Sequence, residues 1–240
     1  MASGKLVTPQ RFAQGRTFAQ WLDFIGSPEN LAREGFDIRK FSLVRPRIDW
    51  SAHLRDKYAG ARLTESQVAA AQWIAKQPGA PTRILVIAED WSSDVRRDLP
   101  YIARLAEAAG MELRIFTRDG DRMVRQGFPD PAESPTADLV QAFANEKNGQ
   151  RFATVPVAVF FDRDFNEVYR YIEFPAIYHK ERLIGHYRTV RLDEDKAAGT
   201  ARGLRQIGEL LESPFFDMWA RAAVDEMLAA LHERLTLGVR

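Results

Sequence analysis

Apolar positions recur along this chain with two different periods, and the changes of period mark its elements. Within residues 1–80, Phe18, Trp21, Leu22 and Ile25 share one helical face, after which Gly26-Ser27-Pro28 restarts the chain. Ser27 suits an N-cap and Pro28 a first helical position. Thr64-x-x-Gln67 is a capping-box pattern; Val68, Ala71, Ile74 and Ala75 follow at helical spacing and predict a helix over 64–76. The run Gln77-Pro78-Gly79-Ala80-Pro81 ends it. Residues 84–88 (ILVIA) are continuously apolar and predict a strand buried on both faces. From Ser93 to Ala109 the period becomes helical, through Leu99, Ile102, Ala103, Ala106 and Ala109, with Gly110 as the stop. Residues 112–117 predict a second strand.

Strand, helix and strand in succession form a βαβ unit, whose two strands lie parallel. A polar stretch with Pro129, Pro131 and Pro135 follows, then a helix over 136–146. Pro156 opens the apolar run 157–161, and 167–172 alternates after a polar turn, so the pair predicts a hairpin. Asp193-Glu194-Asp195 reads as solvated loop entering a helix. Ser213-Pro214 starts a final helix carrying Phe216, Trp219, Ala223, Met227, Leu231 and Leu235 on one broad face. The expectation is an α/β fold in one domain spanning 1–240. It comprises a helical extension over 1–80, a core over 83–172 and a C-terminal extension with a long helix over 173–240.

Composition narrows the function classes. The 240 residues carry 34 Lys and Arg against 33 Asp and Glu, so no global field of one sign favours nucleic acid or an anionic membrane. No run of roughly 18 apolar residues is present to span a bilayer, and residues 1–10 lack the apolar core of a leader; a cytoplasmic location is expected. The cysteine count is zero, which removes disulfides, thiolate metal sites and thiol nucleophiles together. His53, His179, His186 and His232 show no metal-ligand spacing, and neither metal nor cofactor is expected.

The order βαβ, long connection, proline, β, β, α is that of the thioredoxin fold. The segment 84–100 (ILVIAEDWSSDVRRDLP) resembles the thioredoxin active-site region: a buried strand, a tryptophan, the four Cys-x-x-Cys positions and a helix interrupted by proline. Trp91 matches the motif tryptophan, Ser92 and Val95 its two cysteines, and Pro100 the kinking proline. Thr154-Val155-Pro156 resembles the cis-proline loop that faces the motif in that family. The motif resemblance covers about residues 83–172, and the chain is similar over most of its length to a bacterial branch with long helical extensions. The resemblance implies a thioredoxin-like fold with a mixed central sheet flanked by helices. It also implies that the family's buried acid is absent, since Val86 stands at the matching strand position.

A thiolate at a helix N-terminus is activated by unsatisfied backbone N–H groups. Ser92 occupies that seat without the chemistry, and Val95 cannot resolve a mixed disulfide. Two readings of these residues stand side by side. In one, Ser92 or Ser93 caps a helix, Asp94 complements its dipole and Trp91 packs at the sheet edge. In the other, the surface of Trp91, Ser92, Ser93, Asp94, Val95, Val155 and Pro156 binds a protein or peptide partner, or a glutathione-like ligand, with Val155 offering backbone groups to an extended peptide. An enzymatic alternative is a glutathione-dependent transferase activating its thiol with the hydroxyl of Ser92 or Tyr101. A third is a homodimer module burying exposed aromatics such as Trp21 or Phe215.

Three further groups carry expectations. Phe174 to Arg191 interleaves Tyr178, His179, Lys180, Arg182, His186, Tyr187, Arg188 and Arg191, either a stacking and phosphate-contacting stretch or an edge element with its rings packed inward. Arg96 and Arg97, one turn into the motif helix, either add to an anion site or, offset by Asp94 and Asp98, form a mixed solvated face, which is the expectation. Glu89 and Asp90, the paired carboxylates beside Trp91, read as solvated loop before a helix; acid–base catalysis by them would need a raised pKa in a dry cleft.

Overall fold

The two inner strands of the central sheet come from the apolar runs that interrupt the helical pattern, and its two outer strands from the mixed segments 112–117 and 167–172. In the computed structural model, which describes residues 5–125, 127–178 and 195–238, the order of elements is α1 (Pro9–Ala13), α2 (Phe18–Ile25), α3 (Pro28–Ala32), β1 (Gly35–Asp37), β2 (Ser42–Val44), α4 (Ser51–Gly60), α5 (Glu65–Ile74), β3 (Arg83–Ala88), α6 (Ser93–Ala109), β4 (Glu112–Thr117), α7 (Ala137–Ala142), β5 (Asn145–Lys147), β6 (Gln150–Phe152), β7 (Val157–Phe161), β8 (Glu167–Ile172), α8 (Lys196–Glu212) and α9 (Pro214–Leu237). The main sheet runs β4-β3-β7-β8. β3 and β4 are parallel, Val86 opposite Ile115, because α6 crosses between them; β7 and β8 return antiparallel, Val86 opposite Ala158. This mixed four-stranded sheet with flanking helices is the thioredoxin-like α/β architecture.

Local signals set the helix starts. Thr17 and Thr64 each close a capping box with the glutamine three residues on, and Ser27 caps α3 with Pro28 in its first turn. The buried residues of β3, from Ile84 to Ala88, face packed elements on both sides of the sheet. One hydrophobic cluster runs from Val7 through β3, α6 and β7 to Leu231 of α9.

Several expectations change. Trp21 lies in this core at 1% exposure, so it offers no interface, whereas Phe215 is 56% exposed. The helix expected over 136–146 stops at Ala142. Asn148 and Gly149, both at positive φ, then turn a small β5–β6 hairpin, the geometry that Asn-Gly favours between short strands. Residues 35–44, without an assigned element in the sequence, form the β1–β2 hairpin.

Arg96, Arg97 and Asp98 are buried rather than solvated. The reason is the extensions: α4, α5 and α9 all pack on α6, so the face that a bare βαβ unit would expose is covered. Arg97 Nε and Nη2 each donate to Asp98 at 2.7 Å, Nη1 donates to Asp94 at 2.7 Å, and the guanidinium stacks on Tyr178, 4.6 Å from the ring centre. Tyr178 itself is buried with Phe216 and Trp219, so the start of the basic aromatic stretch packs inward. Its remainder, His179 to Arg191, lies outside the described residues.

Candidate functional site

The turn between β3 and α6 places Ser92 as the N-cap of a 17-residue helix. Its Oγ accepts from the Val95 N–H at 3.4 Å and donates to the Val155 carbonyl at 3.5 Å, both long contacts. The Val155–Pro156 peptide bond is cis. Trp91 to Val95 and the Val155-Pro156 loop therefore meet across the C-terminal end of β3, as thioredoxin geometry requires. Ser92, Val95, Val155 and Pro156 are buried, while Trp91, Ser93 and Asp94 are half-buried. The seat is filled by side chains, and both hydrogen bonds of the Ser92 hydroxyl are internal.

Trp91 is held by three contacts. Its Nε1 donates to Asp119 Oδ2 at 3.2 Å, the Arg118 guanidinium lies 5.0 Å from the ring centre, and Phe36 of β1 meets it edge-on at 6.4 Å. Arg118 in turn donates to both Asp119 oxygens and to the carbonyls of Ala153 and Val124. This pins the tryptophan to the loop after β4 on one side and to the β1–β2 hairpin on the other. The hairpin, a product of the N-terminal extension, thus widens the surface beyond the residues the motif supplies.

Directly beneath Trp91 lies a network that the sequence pattern did not reveal. Glu89 and Asp90 are each only 1% exposed, which corrects their reading as solvated loop. Glu89 accepts from Arg33 Nη2 at 3.0 Å, from Arg47 Nη1 at 2.9 Å and from the Asp119 backbone N–H at 2.8 Å. Asp90 accepts from the same Arg47 nitrogen at 2.5 Å and from Asn30 Nδ2 at 2.9 Å. Arg33 also donates to Asn30 Oδ1, the Gly120 carbonyl and the Asp119 carbonyl. Burial alone would raise Glu89, but the guanidiniums of Arg33 and Arg47 overcome it and hold its carboxyl below the usual range. Burial wins at Asp90, whose pKa is raised, and at Asp119, pushed up to about 6 with the Glu89 charge adding to it.

These carboxylates are consumed by internal partners, which ties the turn after β3 to Asn30 of α3, to Arg33 and Arg47 and to the loop after β4. The cations come from positions 33 and 47, more than 40 residues upstream of Glu89. Local spacing therefore could not signal them. Arg96 joins from α6, donating to the Asp90 carbonyl at 2.8 Å while stacking on Trp50 at 3.7 Å.

Tyr101 does not belong to this site. It sits in α6 more than two turns beyond Ser92, roughly 13 Å along the helix axis, and lines a cleft of about 330 Å³ with His53, Lys57, Asp217 and Arg221. Arg221 Nε donates to its hydroxyl at 3.4 Å. The two hydroxyls considered for a transferase are thus in different places. Among the described residues no group of three or more His, Asp or Glu is arranged to hold a metal ion, and no helix is long and apolar enough to cross a membrane.

A solved structure shares the fold. A protein of unknown function from Pseudomonas aeruginosa superposes with a TM-score of 0.52 at 17% identity, over 95% of this chain and 98% of that one. An HIV epitope-scaffold covers 92% of this chain at 18% identity with a TM-score of 0.49. No curated protein matches. The model of the family described as Thioredoxin matches residues 47–188, more than half of the chain, from Arg47 of the buried network through the motif helix and the Val155-Pro156 loop. The chain belongs to the thioredoxin family, as a member in which oxygen and hydrocarbon stand where the redox pair would be.

Proposed function

We propose that this chain works without thiol chemistry and binds an acidic, aromatic-containing segment of a partner protein across the face around Trp91. The observation that carries the reading is the surface continuous with Trp91. Phe36 meets the Trp91 ring, Phe41 is 57% exposed at the hairpin tip, and Leu43 is 41% exposed beside it. The Arg125 guanidinium lies 5.6 Å from the Phe36 ring centre and 5.7 Å from that of Phe41, with no carboxylate partner among the described residues. Exposed rings flanked by an unpaired arginine favour a partner that brings both apolar area and negative charge.

The closed seat favours a protein segment over a glutathione-like molecule. Ser92 and Val155 already touch there, so a ligand would have to lie over Trp91, Ser93 and Asp94 rather than enter between them. The test is a peptide array probed with the intact protein. Acidic, aromatic peptides should bind in preference to the same peptides with Lys in place of each acid. Phe41→Ala and Arg125→Glu should each weaken the best peptide about tenfold, while Trp73→Ala, on α5, leaves it unchanged. Equal binding of the charge-reversed peptides, or unchanged binding by both hairpin-face variants, would refute the reading.

A further inference from the structure

The edge of the main sheet opposite β8 carries a second cleft, about 450 Å³ in volume, which shares Arg33 and Asp119 with the network under Trp91. It lies at the C-terminal end of β4, walled by Phe24, Ile115, Phe116 and Pro135. Ligands of α/β folds commonly sit at the C-terminal ends of strands, and a cleft of this size suits a small molecule.

Its polar groups are unevenly used. Arg33 is consumed by the network under Trp91, and Arg11 pairs with Asp138 at 2.8 Å. Arg16 differs: its guanidinium stacks on Phe24, 3.7 Å from the ring centre, and has no hydrogen-bond acceptor or ion-pair partner among the described residues. Burial in the cleft depresses its pKa, with Glu29 acting in the other direction. A half-buried guanidinium with no protein acceptor keeps its donor fork open to a ligand that reaches the cleft.

A second donor lies beside it. Ile115 exchanges backbone hydrogen bonds with Arg16, at 2.9 and 2.8 Å, so its polar groups point away from β3. The two-residue period of the strand turns those of Thr117 the same way. The Thr117 carbonyl is taken by the Thr136 hydroxyl at 2.5 Å, which leaves the Thr117 N–H facing the cleft. We propose that this cleft binds a small monocarboxylate with an apolar or aromatic body, its carboxylate held by Arg16 and the Thr117 N–H and its body lying against Ile115 and Pro135.

Charge sets the ligand class. Arg11, Arg16 and Arg33 are balanced in the wall by Glu29, Asp119 and Asp121, so the cleft has no surplus for a doubly charged phosphate. One carboxylate matches one open guanidinium fork.

The experiment is an amide-resolved NMR titration of the intact protein with benzoate, benzamide and inorganic phosphate at one ionic strength. Benzoate should shift the Thr117 and Gly120 amides saturably, and benzamide should not. Arg16→Gln should weaken the benzoate response about tenfold, with Arg16→Lys partly restoring it and the remaining resonances reporting an intact fold. Equal responses to benzoate and benzamide, no saturable response at millimolar benzoate, stronger binding of phosphate, or an Arg16→Gln titration like the parent's would each overturn the assignment.

Discussion

The Tyr171 hydroxyl of β8 donates to Asp98 Oδ2 of α6 at 2.9 Å, in a part of the core where neither side chain reaches water. Burial pushes Asp98 up to about 6, against the downward pull of Arg97 and of this phenol; the Asp94 charge adds to the rise. Above that value the bond goes to a carboxylate and below it to a neutral acid, and bonds to charged groups are the stronger. Tyr171→Phe should therefore cost about 2 kcal/mol near pH 7.5 and about 1 kcal/mol near pH 4.5. Urea denaturation at the two pH values measures both, and equal costs would show that the phenol does not read the carboxylate's charge.

Asp119 titrates in the same window beside the motif. Its folded-state value of about 6 lies above the roughly 3.9 of an unfolded aspartate. A raised acid contributes stability that is fully present below the unfolded value and is lost as pH rises through the folded one. Between about pH 4 and pH 6 the Asp119 contribution should thus fall by about 2 kcal/mol. His53, whose pKa burial lowers, runs the other way, as does Glu89. The measurement is therefore the difference between parent and Asp119→Asn, and the cost of the substitution should shrink as pH rises. A cost independent of pH would mean that Asp119 stays ionised throughout.

Removing one charge from the network under Trp91 leaves its partners stranded. Glu89→Gln should destabilise the fold by about 3–5 kcal/mol, because Arg33 and Arg47 remain buried without their shared carboxylate. Arg33→Met in the same chain should recover part of that loss, because Glu89 is the one carboxylate Arg33 pairs with among the described residues, whereas Arg47 keeps Asp90 at 2.5 Å. Were Glu89 in a solvated loop, the substitution would change stability by no more than about 0.5 kcal/mol. Chemical denaturation of the two variants distinguishes these outcomes.

The contrast between Val86 and Glu89 explains what the sequence could show. Val86 belongs to a run whose period reports burial directly, and with it β3, α6, β4 and the β7–β8 hairpin were legible from spacing alone. Ser92 was legible because a motif with fixed offsets places it at the start of α6, and Pro156 because it opens an apolar run in a loop that resembles the one facing that motif. Glu89 was not, since its environment is made by Arg33 and Arg47, which reach it through tertiary folding and leave no periodic trace. Arg97 was misread for a related reason: charged residues at helical spacing describe a solvated face only until another helix, here α9, covers it. The hairpin at 35–44 went unseen because three-residue strands are too short for a two-residue period to register.

Restoring sulfur tests how much of the family's chemistry the scaffold retains. In the Ser92→Cys/Val95→Cys double variant, the first thiol would sit at the N-terminus of α6, where the backbone N–H groups that now include the Ser92 contact to Val95 stabilise a thiolate. The second would lie one turn on, within reach of an intramolecular disulfide. Mass spectrometry under oxidised glutathione should show the loss of two hydrogens in the double variant. Ser92→Cys alone should add one glutathione, slowly, because position 92 is only 7% exposed. If the pair forms, the missing sulfur is what separates this chain from redox activity, and the Arg33–Glu89–Arg47 network is compatible with it. If neither thiol reacts in the folded protein, the contact between positions 92 and 155 seals the seat. Partner binding would then have to act wholly through Trp91 and the β1–β2 hairpin.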